Sequence, residues 1–214
     1  MATKRQEEKM VKITMPEIKM ARIEIEGDGD ICLNKMSLGN KRDLPQFSKG
    51  KVKKPHNKWG DLITAIHWEY PIDEEEIYDI ATEDMHKELL ENNRPCISAF
   101  GMKKAANAAV VRNNIAQYAT SFQDTVNIVE DLIPINFTEA KVREFTPKVG
   151  KSRMVVSINQ FSGWSAAFTI KYSETAYDLN SILSIFQLAG FGSGIGSGTS
   201  TGYGRFHIKG TTTY

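Results

Sequence analysis

Apolar and polar side chains alternate along Ile18-Lys-Met-Ala-Arg-Ile-Glu-Ile-Glu26, and a period of two predicts a half-buried strand. Gly27-Asp-Gly-Asp30 interrupts it and Ile31-Cys-Leu33 continues as an extended segment. Further strands are expected at Val126–Val129, Leu132–Ile135, Met154–Ile158 and Arg205–Lys209. The clearest of all is Trp164–Tyr172.

Two segments carry helical spacing instead. The alanine-rich run over 98–113 opens at Ser98, a good N-cap, and Ala105, Ala106, Ala108 and Ala109 give it a smooth face. In Asp178–Ala189 the apolar positions 179, 182, 183, 185, 186 and 188 form a broad stripe, and Gly190 should stop the helix. Ile77, Ile80, Met85, Leu89 and Leu90 predict one amphipathic helix or two short ones over 73–91. Residues 61–70 fit strand or helix, and Pro71 ends them. Residues 37–60 show neither period and read as a long loop.

This order predicts an α+β fold with a ferredoxin-like (modified RRM) βαββαβ core. Two insertions fall at about 34–92 and 136–156. Residues 1–14 read as a mobile polar arm and 15–214 as a single domain. A helical layer on one face of such a sheet leaves the other free for a ligand, as in RRM-type RNA binders.

The chain has 214 residues, 41% hydrophobic and 25% charged, which excludes a disordered or collagen-like chain and a disulfide scaffold. Its apolar runs are too short to span a membrane. The net charge of +1 speaks against a strongly basic nucleic-acid binder, but the average hides a split. Residues 1–58 carry a net +6, residues 59–91 a net −10 and residues 92–214 a net +5. A binding surface depends on local charge. Cys32 and Cys96 lie in apolar surroundings without a CxxC, which predicts a reducing compartment and no zinc site. No apolar leader is visible at the N-terminus, and a cytoplasmic location is expected.

The densest chemical signal is the glycine series 190, 192, 194, 196, 198, 202 and 204. Free amides at Gly192, Gly194, Gly196, Gly198, Gly202 and Gly204 could cradle phosphates. The segment follows a helix and lacks GK[ST], so it is neither a P-loop nor a dinucleotide fingerprint; the alternative is a flexible helix-to-strand connection. Lys41, Arg42, Lys49, Lys51, Lys53, Lys54 and Lys58 give the 37–60 segment a positive charge suited to phosphates or simply to water. Lys103 and Lys104 oppose the macrodipole near a helix N-terminus, as an anion held there would favour, or else point to solvent. Lys141, Arg143, Lys148, Lys151 and Arg153 flank the Pro147–Gly150 turn as a basic hairpin.

Phe161, Trp164, Phe168, Tyr172 and Phe206 are core candidates, and Trp59 reads as a core plug. Tyr203 sits in the glycine segment and could stack on a base. His56, His67, His86 and His207 form no metal or catalytic spacing, and no GxSxG is present. Carboxylates 73–76 read as dipole-favoured residues at a helix start. Neither a cofactor nor a metal is expected.

Taken in order, these motifs resemble the RAMP superfamily. Gly-Ser-Gly-Thr-Ser-Thr-Gly-Tyr-Gly-Arg-Phe at 196–206 is similar to the C-terminal glycine-rich loop and strand of CRISPR effector backbone subunits. Pro95-Cys-Ile-Ser-Ala-Phe-Gly-Met-Lys-Lys-Ala resembles the family's Pro-x-Ile-x-Gly-Ser-Ser-x-Lys-Gly segment. Ile23–Leu33 resembles its first strand and following loop. Phe161-x-x-Trp164 and Leu188-Ala-Gly-Phe-Gly-x-Gly-Ile-Gly196 look nearer still to stand-alone RAMP-like proteins of phages.

The resemblance implies nucleic-acid binding and head-to-tail self-association along the strand; phosphate neutralisation and backbone amides select no sequence, so a non-enzymatic, sequence-nonspecific binder of single-stranded DNA or RNA is expected. Ser98, Lys103, Lys104 and the glycine loop through Arg205 would make contacts, with the 141–153 hairpin as a thumb. Gly-Ser-Ser is replaced here by Ser98-Ala99-Phe100, a departure that bears on target cleavage. The alternatives are a metal-independent endoribonuclease using His207 or a lysine, and an inhibitor mimicking an effector subunit. The acidic 73–91 segment would then meet a basic partner, or the basic loop of the next subunit.

Overall fold

The computed structural model describes residues 15–47, 55–116, 120–145, 148–149, 152–153 and 155–214. Strand β1 (Ile18–Gly27) buries Ala21, Ile23 and Ile25 and turns Arg22 and Glu24 to solvent, as its alternation requires. There follow β2 (Ile31–Leu33), α1 (Leu38–Phe47), α2 (Lys58–Thr64), β3 (His67–Trp68), α3 (Glu74–Tyr78), α4 (Glu83–Asn92) and β4 (Pro95–Ser98). Next come α5 (Ala99–Arg112), α6 (Thr120–Gln123), β5 (Val126–Ile128), β6 (Leu132–Asn136) and β7 (Glu139–Phe145). The chain continues through β8 (Lys148–Val149), β9 (Ser152–Arg153), β10 (Val156–Ser162) and β11 (Ser165–Ser173). It closes with α7 (Leu179–Leu188), a π-helical turn (Ala189–Ser193), a 3-10 turn (Thr199–Thr201) and β12 (Phe206–Thr213).

Among the described residues the main sheet has seven antiparallel strands, six in the order β12-β1-β11-β6-β4-β3 and β5 paired with β11 off that path. Strand β5 pairs with the far end of β11 through Ile170–Tyr172, and β6 with its near end through Ser165 and Ala166. The two are thus successive partners of one strand, broken at 129–131, and β6 then continues onto β4. A second sheet, β2-β10-β7, carries the long hairpin whose tip is the two-stranded β8-β9 ladder.

Helices α5 and α7 cover one face of the main sheet. Met102, Ala105, Ala106, Ala109 and Val110 of α5, with Ile182, Ile185 and Phe186 of α7, join Ile23, Phe168 and Ile170 in one apolar cluster. Phe168 and Phe186 meet edge-on with centroids 5.2 Å apart. Phe161, Trp164, Phe168 and Phe206 are fully buried and Tyr172 nearly so. The opposite face of β1 and β11 presents Arg22, Glu24, Ala167, Thr169 and Lys171 in register. None of these five is aromatic, so β1 and β11 do not present there the base-stacking rings an RRM surface uses.

Several local expectations change. Residues 37–60 are not an unbroken loop, because α1 and α2 occupy both ends. Helix α1 has little apolar period of its own. Leu38 is buried and donates its N–H to Thr64 Oγ1 at 3.0 Å, so contact with α2 supports the helix where propensity does not. Asn57 caps α2 by accepting from the N–H groups of Trp59 and Gly60. Trp59 is half-buried, against His86 with Lys58 over its ring, and is not a core plug.

Asp73 and Thr82 each cap a helix, so 73–91 forms two. Gly190 does not stop α7; the chain runs on through the π-helical turn, where a Cβ on Gly190 would lie 2.0 Å from Phe206 O. Residues 1–14 lie outside the described residues. Among those described, no helix is long and apolar enough to cross a membrane.

Candidate nucleic-acid interface

Helix α5 repeats a ridge at every fourth residue: Phe100, Lys104, Ala108 and Arg112, with Gly101 and Ala105 beside it. Ala105 borders the core, and Phe100 and Lys104 stand clear of it. This face forms one wall of a cavity of about 530 Å³, and the glycine segment forms the other. Small residues at 101, 105 and 108 leave room between the two walls.

The glycine segment is fixed, not a slack connection. Ser197 N–H donates to Cys32 O at 2.7 Å, Gly204 N–H to Asp30 O at 2.8 Å and Ile195 N–H to Gly204 O at 3.0 Å. Gly204 has φ +69°, and a Cβ there would lie 1.8 Å from Ile195 O. Gly196, at φ +81°, likewise backs onto Cys32 O. Only glycine fits such approaches in the left-handed region. Gly198, Gly202 and Gly194 also have positive φ, and Gly192 lies in the π-helical turn.

Lys104, Arg112 and Arg205 line the cavity, and no lining side chain is acidic among the described residues. Arg112 Nη1 donates to Ser193 Oγ at 3.1 Å and Arg205 Nη2 to Thr199 O at 3.2 Å. Arg205 Nη1 is buried without a hydrogen-bond partner among the described residues. A buried donor left unmade costs about 1–3 kcal/mol. Past Gly101 and Gly196 the cavity adjoins a second one of about 220 Å³, lined by Lys35, His67, Ser98 and Ser197. Burial first, and then the Lys35 charge, hold His67 below its usual value, which keeps the ring neutral at pH 7.

The sequence-nominated residues fall into groups. Lys104, Gly192, Gly194, Gly196 and Arg205 share the larger cavity, with Ser98 in the smaller. Ser98 occupies the N-cap position of α5 without a side-chain cap bond; Ala99 N–H instead donates to Asp131 O at 3.0 Å. Lys103, one residue from Lys104, points the other way and donates to Asn127 Oδ1 at 2.9 Å.

The hairpin reaches the glycine segment, with the Arg143 guanidinium 5.0 Å from the centroid of the half-buried Tyr203 ring. Lys141 pairs with Glu139 at 2.7 Å. Lys148 and Arg153 face each other in the β8-β9 register. Lys49, Lys51, Lys53, Lys54 and Lys151 lie outside the described residues.

Lys41 and Arg42 are already partnered. Lys41 Nζ lies 3.2 Å from Glu74 Oε2, and Lys35 bonds the other oxygen of the same carboxylate. Arg42 pairs with Glu75 and Asp79 and lies over the Tyr78 ring. The acidic segment therefore compensates α1 within its own chain. This leaves less charge for the basic partner, or neighbouring subunit, that the sequence suggested.

Phe100, Arg112, Ser193, Thr199 and Ser200 were not singled out from the sequence. The four-residue ladder from Phe100 to Arg112 was the available signal. The remaining histidines serve local contacts: His86 Nε2 lies 2.8 Å from Asn159 Oδ1, His56 lies between Asp43 and Asp61, and His207 Nδ1 lies 2.6 Å from Asp28 Oδ1. No group of three or more metal-ligating side chains occurs among the described residues.

No family model and no curated protein matches this sequence. Solved structures do. The type III-B Cmr-beta complex bound to cognate target RNA contains a chain matched at TM-score 0.52 and 15% identity, over 92% of this protein. Cmr6 from Pyrococcus furiosus is matched at TM-score 0.33 and 12% identity, over 91% of this chain and 100% of that one. The present chain spans 60% of the length of the Cmr-beta-complex chain. The likeness to the chain of the Cmr-beta complex is one of fold, a mixed α/β architecture with an antiparallel sheet.

Proposed function

We propose that this protein is a RAMP-like subunit that binds single-stranded nucleic acid with little sequence preference. The observation that carries the reading is the cavity between α5 and the glycine segment, lined among the described residues by three cations and no carboxylate. Phosphate is the ligand chemistry that such a set attracts. Contacts are assigned to Ser98, Lys104, the glycine segment and Arg205, with the β7-β10 hairpin, through Arg143 and Tyr203, as a thumb. The RNA bound in the Cmr-beta complex makes RNA the first ligand to test.

The order β12-β1-β11, followed by the β5 and β6 partners, supports a ferredoxin-like core. Head-to-tail assembly and phage origin rest on the sequence resemblance, and a cytoplasmic location on the cysteine usage. Anisotropy of a labelled single strand under salt titration tests the reading. Log affinity should fall by about 0.7 per phosphate contact for each tenfold rise in salt. Absence of binding at low ionic strength overturns it.

A second reading, a metal-independent endoribonuclease, has one favouring observation: the half-buried His207 is oriented by Asp28. Labelled RNA left intact in EDTA rejects it.

A further inference from the structure

Phe100 is 77% exposed and stands one turn before Lys104 on the ridge that lines the cavity. A large apolar ring so open to water at the mouth of a cationic cavity is unexplained by core packing. We propose that Phe100 is a base platform: one nucleobase of a bound single strand stacks on its ring while the adjoining phosphate is held by Lys104. The proposal rests on the nucleic-acid reading above and deepens it.

The spacing along α5 sets the size of the ligand. Lys104 and Arg112 are eight residues apart, or about 12 Å along the helix axis. A single phosphate cannot bridge both. The Phe100–Lys104 end and the Arg112–Ser193 end are therefore separate positions, occupied by successive parts of one strand. A volume of about 530 Å³ falls in the range of sites for single small ligands, room for one base and its sugar between the two ends. Arg205, on the opposite wall, supplies a third cation facing that unit. The ring adds stacking that every base can provide, so it raises affinity without selecting sequence.

Binding is compared for two single strands of equal length and phosphate number, one ordinary and one abasic over its central positions, in ribo- and deoxyribo- forms. The wild-type protein should prefer the ordinary strand about tenfold, the contribution of one base–aromatic stack. Phe100→Ala should remove that preference and leave abasic binding unchanged, while Phe100→Trp should keep it and show quenched indole fluorescence on the ordinary strand only. An exposed position makes either variant close to neutral for folding, and circular dichroism checks this. A Phe100→Ala protein that still prefers the ordinary strand overturns the platform but not the nucleic-acid reading. If neither strand binds the wild-type protein, both fall.

Discussion

Two basic regions of this chain look alike in sequence and differ in their surroundings. Lys41 and Arg42 on α1 face Glu74, Glu75 and Asp79, and their charge is closed off inside the insertion. Lys104, Arg112 and Arg205 face a cavity with no carboxylate and make no ion pair among the described residues. Positive charge marks a phosphate site only where the fold has not already supplied the anion. A net +6 over the first 58 residues therefore says less about binding than three cations elsewhere.

The largest effect should come from breaking the wall that holds the unpaired cations. Gly204→Val puts a branched Cβ where 1.8 Å separates it from Ile195 O, at a φ of +69°. Strain in the left-handed region alone costs about 1–3 kcal/mol, and the clash adds to it. Thermal unfolding should shift down by well over 5 °C and strand binding should be lost with it. An unchanged midpoint would mean that the glycine segment is not the fixed wall described.

Charge reversal tests the comparison directly. Lys104→Glu with Arg112→Glu should weaken single-strand binding about a hundredfold at low salt, at about one order of magnitude per lost charge-assisted contact, and should flatten the salt dependence. Lys41→Ala with Arg42→Ala should change affinity less than about threefold, since those side chains are engaged with carboxylates. Equal losses in the two double variants would erase the distinction between the regions.

The legible parts of the molecule are those whose period reports burial. Strands β1 and β11 alternate cleanly, and α5 and α7 carry apolar stripes, so all four follow from local pattern. Helix α1 was not legible because tertiary contact supports it. Nor was its pairing, since Lys41 and Arg42 meet carboxylates at least 33 residues away and periodicity says nothing about such distances. The π-helical turn was missed because Gly190 ordinarily ends helices, whereas here it allows close approach to β12. Of the candidate site, the glycine segment and Lys104 were visible. Arg112 and Phe100 became meaningful only once the other wall was known.

Acid should separate the regions last and most gently. Burial acts to raise Glu74, but hydrogen bonds from Lys35 and Lys41 outweigh it and hold the carboxyl below its ordinary 4.5. A depressed carboxyl stabilises the fold above its unfolded-state value, and that contribution is lost as pH falls through the folded value. Burial outweighs the hydrogen bond His86 makes to Asn159 Oδ1 and holds His86 below its ordinary 6.5. As pH drops below 6.5, the unfolded chain takes up the proton that folded His86 refuses, and stability falls in the same direction. Both groups lie within 34–92, while among the described residues no carboxylate or histidine lines the 530 Å³ cavity. Hydrogen exchange between pH 7 and about 4, corrected for intrinsic rates, should therefore show α3 and α4 losing protection before α5 and α7. Loss beginning in α5 would place the acid-sensitive contacts on the cationic wall and reverse the contrast between the two regions.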